Sequence, residues 1–300
     1  TLASLSLANI SISYDFRMMH PNVFELNFPD PNSTNSSFLL TNNLFYQNRF
    51  RIYISEFHLQ HLQAAIGIES ERISYFQKPN NVFDVTPSDD EQSYVNASFG
   101  PFTKLKFDNL DDAYFATKGV EASLEAHWRM DHQLKDSIGN PLPSNFADIF
   151  LYVKGYLSRQ KLTFIPQFYS RMLFGKNNLY AYHNNIGSNI YGRIYDYQLP
   201  FIGLNHCANL PAEYKNIFLG RLDMRYNFYK KNYITAMVNY GRASFELMDL
   251  LRNDCSDDSF GAGLMYSYNS IIGPISFQVH WLSDTDQPWG AYINIGYLLR

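Results

Sequence analysis

His58 and His61 lie three residues apart in this 300-residue chain, the spacing of two metal ligands on one turn of helix. The surrounding segment alternates apolar and polar residues like a strand. Positions three apart then point to opposite faces, and no third ligand is near. Gly175-Lys176 has the last residues of a phosphate loop, but neither the preceding glycine spacing nor the following hydroxyl residue. The acidic runs Asp89-Asp90-Glu91 and Asp257-Asp258 could hold divalent ions or reach lipopolysaccharide through bridging cations. In loops, such runs are ordinarily solvated charge. No Gly-x-Ser-x-Gly turn is present to expose a nucleophilic serine. His127 and His280 sit on the polar faces of strand-like segments without a serine and acid set. The residue types therefore predict no catalytic centre, no metal site and no cofactor.

The elements carrying these residues are strands. Val120, Ala122, Leu124, Ala126, Trp128 and Met130 share one face, while Glu121, Ser123, Glu125, His127 and Arg129 share the other. Arg221, Asp223, Arg225 and Asn227 oppose Leu222, Met224, Tyr226 and Phe228. Ser276, Gln278 and His280 oppose Ile275, Phe277, Val279 and Trp281. The chain predicts twelve such segments, at about 8–16, 45–59, 63–76, 94–108, 120–130, 148–157, 162–173, 217–228, 233–242, 260–268, 275–281 and 291–299. The connections alternate between short turns, such as 158–161 and 271–274, and long loops, such as 77–93, 131–147 and 174–216. Segregating long and short connections to opposite ends is the habit of outer-membrane barrels, with short turns on the periplasmic side. An all-β, antiparallel transmembrane β-barrel over residues 1–300 is expected, with both termini periplasmic. A large soluble β-sandwich or barrel is the alternative.

Composition fits. Aromatics make up 17% of the chain, with 23 Tyr and 24 Phe, which suits strands and interfacial girdles. Mean hydropathy is −0.28, and no 18-residue apolar run exists to form a spanning helix. A net charge of −4 gives no footprint for nucleic acid. Cys207 and Cys255 both fall in long loops, on the oxidising side of such a barrel. A disulfide between them and two free thiols stand as equal alternatives.

Three stretches resemble a known family. "FDNLDDAYFATKG" (Phe107–Gly119) resembles a strand-turn signature of the BamA-like outer-membrane barrel superfamily, the bacterial surface antigen fold. "GSNIYGRIYDYQLPF" (Gly187–Phe201) resembles that fold's long loop, and "GAGLMYSYNSIIGPISFQVHW" with the closing "NIGYLL" resembles its C-terminal hairpin. The loop wording is most similar to barrels that follow patatin-like phospholipase domains in Bacteroidetes-type bacteria. The resemblance implies a sixteen-strand fold, of which twelve are visible here, so the chain is expected to be a C-terminal part of a longer protein, with a shortened barrel as the alternative. It implies that the long loop folds into the lumen, where Arg193, beside the permissive Gly192, pairs with inward acids. Asp223 matches one acidic position, and Asn239 stands where the family usually has an aspartate. The implied function is anchoring or translocating an upstream patatin-like phospholipase domain. An assembly barrel of BamA type and a structural barrel or pore are the alternatives. The implied partners are outer-membrane lipid and lipopolysaccharide, the upstream domain in cis and the outer-membrane assembly machinery. A homodimer is compatible with the sequence. The family's strand usually ends in an aromatic residue, whereas this one ends Leu298-Leu299-Arg300.

Overall fold

The computed structural model describes residues 2–7, 10–19, 22–26, 38–54, 61–81, 92–131, 145–175, 185–187, 198–200, 215–244, 246–252, 256–283 and 288–295. The strands in chain order are β1 (Leu2–Leu7), β2 (Ile10–Met19), β3 (Asn22–Leu26), β4 (Phe38–Ile54), β5 (Leu62–Asn81) and β6 (Gln92–Asp108). They continue with β7 (Lys118–Asp131), β8 (Phe146–Arg159), β9 (Leu162–Phe174), β10 (Asn185–Gly187) and β11 (Gln198–Pro200). The last are β12 (Asn216–Tyr229), β13 (Asn232–Ser244), β14 (Ser256–Ser270), β15 (Gly273–Leu282) and β16 (Trp289–Ile295). A short 3-10 helix, Leu247–Leu251, follows β13.

One antiparallel sheet runs β1-β2-β4-β5-β6-β7-β8-β9-β12-β13-β14-β15-β16, with β3 continuing β2's place beside β4. All twelve expected strands are present. The first runs to Leu26 with a break, as β2 and β3. The structure adds β1, which carries the chain back alongside β2 so that Leu2 lies opposite Asp15. It also adds a small parallel pair, β10 with β11, inside the long 174–216 connection. From β4 to β9 and from β12 to β16 each strand pairs antiparallel with the next, so successive connections fall at alternate ends of the sheet. Among the described residues, no ladder joins β16 to the opposite end of the sheet, although β16 passes close to β3.

The sheet is apolar outside and polar inside. Exposed outward residues include Ile52, Ile66, Leu124, Val153, Leu222, Val238, Leu264, Val279 and Ile293. Buried inward residues include Gln47, Glu69, Arg129, Asp148, Arg171, Asp223 and Gln278. A soluble protein inverts this order. Tyr226, Phe228, Tyr266 and Tyr268 gird the short-turn end, and Trp128, Tyr240, Phe260 and Trp289 the other, with aliphatic residues between. Two aromatic belts around an aliphatic band match a bilayer's interfaces and core. The ladder between β6 and β7 is interrupted at Gly100-Pro101. Proline offers no ladder donor there, and a Cβ on Gly100 would fall 1.7 Å from the Trp128 carbonyl oxygen of β7.

Candidate functional site: the charged interior and its docked turn

Register brings opposite charges face to face on the inner wall. Arg49 lies opposite Glu71 and Arg51 opposite Glu69 across β4 and β5. Lys104 lies opposite Glu125 across β6 and β7. Such cross-strand pairs are the unit of sheet stabilisation. Arg49 donates from Nε to Glu71 at 2.9 Å, Arg51 from Nε to Glu69 at 2.5 Å, and Gln47 from Nε2 to Glu71 at 2.5 Å. Lys104 Nζ meets Glu125 at 2.7 Å.

Arg129 of β7 ties these pairs together. Its Nη1 donates to Glu69 Oε1 at 2.9 Å and to Glu71 Oε2 at 2.8 Å, and its Nε donates to Asp148 Oδ1 at 2.9 Å. Arg171 of β9 reaches Asp148 Oδ2 at 3.4 Å. His127 lies 3.4 Å from Glu69 and stacks on Phe102. The network thus runs from β4 to β9. A guanidinium spread over three carboxylates is suited to locking strands together, since its fork is rigid and permanently charged. Arg129, Asp148 and Arg171 are each at most 2% exposed.

A second cluster lies on β9 and β12. Arg221 grips Asp223 in a two-pronged pair, Nε to Oδ1 at 2.7 Å and Nη2 to Oδ2 at 2.9 Å. Gln167 Nε2 also donates to Asp223 Oδ2 at 2.8 Å, and Tyr169 Oη donates to Gln167. Asp223 and Asn239 are both buried and inward, at 3% and 2% exposure. Asn239 sits opposite Arg221. The loop residues expected to meet them, Gly192 and Arg193, lie outside the described residues, as do Cys207 and Cys255. The acid expected to hold a loop arginine is already gripped by an arginine of its own strand.

The third feature was not foreseen. The β6–β7 connection, 109–117, is a built turn that folds inward at the short-turn end. Asp111 Oδ1 accepts from the backbone N–H of Thr117 at 2.7 Å and of Lys118 at 3.1 Å, and its Oδ2 accepts from Thr117 Oγ1 at 2.5 Å. Asp112 Oδ1 accepts from the N–H of Tyr114 and Phe115 at 2.8 and 2.7 Å. Asn109 Oδ1 accepts from Val120 N at 2.6 Å. Gly119, at φ 111°, closes the turn. A Cβ there would lie 2.5 Å from the Asn109 carbonyl oxygen. Burial would raise the Asp111 carboxyl, but the Thr117 hydroxyl and the backbone donors outweigh it and hold the group below its ordinary value.

This turn presents Phe115 and Ala116 to the far wall. Phe115 stacks on Tyr233 with centroids 4.4 Å apart and packs with Met237 and Met265. Ala116, fully buried, packs with Tyr156 and Ile165. Arg225 of β12 donates from Nη2 to the Ala116 carbonyl, with the rings of Phe115, Tyr156 and Tyr233 5.5 to 5.9 Å from its Cζ. Sequence marked Arg225 as inward but gave no partner. The motif's acids were the available signal, because aspartates spaced this way before a glycine are turn formers.

Residues 15–299 match the OMP85 superfamily. The chain belongs to that superfamily. Among solved structures, this OMP85 barrel is similar to BamA from Haemophilus ducreyi lacking POTRA domains 1-3, with a TM-score of 0.58 and 13% identity over 96% of this chain. The chain spans 59% of that BamA chain. A weaker likeness, TM-score 0.32 and 14% identity, covers 93% of this chain and 44% of the copper transporter OprC. No curated protein sequence matches. The BamA-like barrel expected from the three motifs is therefore the fold, and the apolar outer face is the lipid-facing face of a bacterial outer-membrane barrel. Among the described residues, no cluster of ligating side chains could hold a metal ion.

Proposed function

We propose that this barrel anchors an upstream domain in the outer membrane and helps translocate it, and that the upstream domain is a patatin-like phospholipase. The observation that carries the anchoring role is the inward docking of the 109–117 turn, which Arg225 bonds at the Ala116 carbonyl. Together with the ion network along the inner wall from β4 to β9, it favours an anchor over a free-diffusion pore. The wording of residues 187–201 supports the patatin assignment. On this reading the barrel itself is not catalytic. The short turns are periplasmic, and β16 runs its end toward that side. The membrane neighbours are outer-membrane phospholipid and lipopolysaccharide, and insertion uses the outer-membrane assembly machinery. The intact mass and N-terminal sequence of the native polypeptide test it. An upstream Gly-x-Ser-x-Gly elbow carries the reading. A polypeptide beginning near Thr1 overturns it.

A second reading is an assembly or translocation barrel of BamA type. It is favoured by the sheet's edges, which no ladder joins among the described residues, with β16 lying beside β3. Periplasmic receptor repeats upstream, in place of a hydrolase elbow, would select it.

A further inference from the structure

Two hairpin turns lie side by side at the short-turn end, between β8 and β9 and between β12 and β13, because β9 pairs with β12. A pocket of about 240 Å³ opens there. Lys161, Lys230 and Arg225 line it, with the hydroxyls of Thr117 and Thr163 beside them and no carboxylate in its wall. The nearby acids of the 109–117 turn are engaged: Asp111 by Thr117 and Lys118, Asp112 by the N–H groups of Tyr114 and Phe115. Among the described residues, neither Lys161 nor Lys230 forms an ion pair with a carboxylate. Three cationic residues thus line one pocket in a chain whose net charge is −4, with Arg225 also bonded to the Ala116 carbonyl.

Backbone conformation points to the same place. Among the described residues, the non-glycine positions with positive φ are Gln160 (56°) and Lys230 (43°), and both line this pocket. Two-residue hairpin turns fill such positions with Gly, Asn or Asp, which tolerate the left-handed region. Keeping long polar side chains there holds strain at one location, and strain held by surrounding structure clusters at functional sites.

We propose that this pocket binds a phosphate group. Two lysines from the two turns and an arginine from the wall line this one pocket, and cationic donors of these kinds suit a tetrahedral oxyanion. The phosphate can belong to a soluble phosphate ester or to the headgroup of a phospholipid in the adjoining leaflet. The site does not depend on which upstream domain the barrel carries.

The test is a titration of inorganic phosphate into the barrel in a phosphate-free detergent at constant ionic strength, following the amide resonances of Lys161 and Thr163. Saturable shifts are expected, with affinity lowered about tenfold or more in K161Q/K230Q, roughly one charge-assisted contact's worth. K230G separates binding from folding. It relieves the positive-φ strain, so it should melt at or above the parent temperature while binding phosphate more weakly. Dihexanoyl phosphatidylglycerol and glycerol phosphate then distinguish the sources. Tighter binding of the lipid assigns a headgroup, and equal binding assigns a soluble ester. No saturable shift, or unchanged affinity in K161Q/K230Q or K230G, overturns the proposal.

Discussion

Arg129 makes the clearest prediction at the scale of a single residue. It is 2% exposed and bonds Glu69, Glu71 and Asp148, so Arg129→Met strips three buried carboxylates of a shared counter-ion. Breaking a buried network by removing one partner costs about 3–5 kcal/mol. Urea unfolding of the barrel in detergent should show a loss of that size. Arg242 at the long-loop end is the contrast. It grips Asp258 at 2.6 Å and also reaches the Leu250 carbonyl, but the pair is open to solvent. Arg242→Ala should leave the unfolding midpoint nearly unchanged, because exposed pairs contribute little. Whether each of these side chains points inward or outward was legible in the alternation of the sequence. Their pairing was not, because Arg49 and Glu71 are 22 positions apart and meet only once β4 and β5 are in register.

The 109–117 turn has predictions of its own at the scale of an element. Arg225→Gln removes the cation that holds the Ala116 carbonyl, and Phe115→Ala empties the stack on Tyr233. Truncating a buried phenylalanine costs about 3–5 kcal/mol. In Arg225→Gln the amides of Ala116 and Thr117 should exchange faster, with the remaining strands unchanged. Unaltered exchange in that variant would show that the docking is not held by Arg225. Acid should loosen the same turn. The Asp111 carboxyl is held below its ordinary value, near 3.9 for an aspartate, so its stabilising share is present above that value. The share is lost as pH falls through the lowered folded value. Exchange of the Lys118 amide, measured downward from pH 5, should accelerate in that acid window and lose its pH dependence in Asp111→Asn.

At the scale of the whole molecule, an aliphatic band between two aromatic belts must lie in the hydrocarbon core. Leu264, 58% exposed on the outer face of β14, is flanked by Tyr266 and Tyr268 toward one belt and Phe260 toward the other. Leu264→Arg should cost about 2–4 kcal/mol, as a charge near the midplane does. The same change at Trp289, in a belt, should cost less than about 1 kcal/mol. Equal penalties at the two positions would contradict this membrane placement. The inward-docked turn and the ion-paired inner wall predict single-channel conductance far below that of an open porin, and a large steady conductance would refute the anchoring reading.

What the sequence determined by itself was the barrel. A period of two needs no partner to be visible, since each residue's side of the sheet follows from its neighbours. Long and short connections declared the two ends in the same local way, and three motifs named the family. What tertiary structure decided was every contact made across strands. Arg225 and Ala116 are 109 positions apart, Arg129 and Glu69 are 60 apart, and β1 became an added strand only by pairing with β2. The basic pocket likewise exists only because β9 and β12, separated by a connection of some forty residues, lie side by side. Side-chain periodicity is local, whereas charge pairing across strands depends on register and strand order, which only the assembled sheet sets.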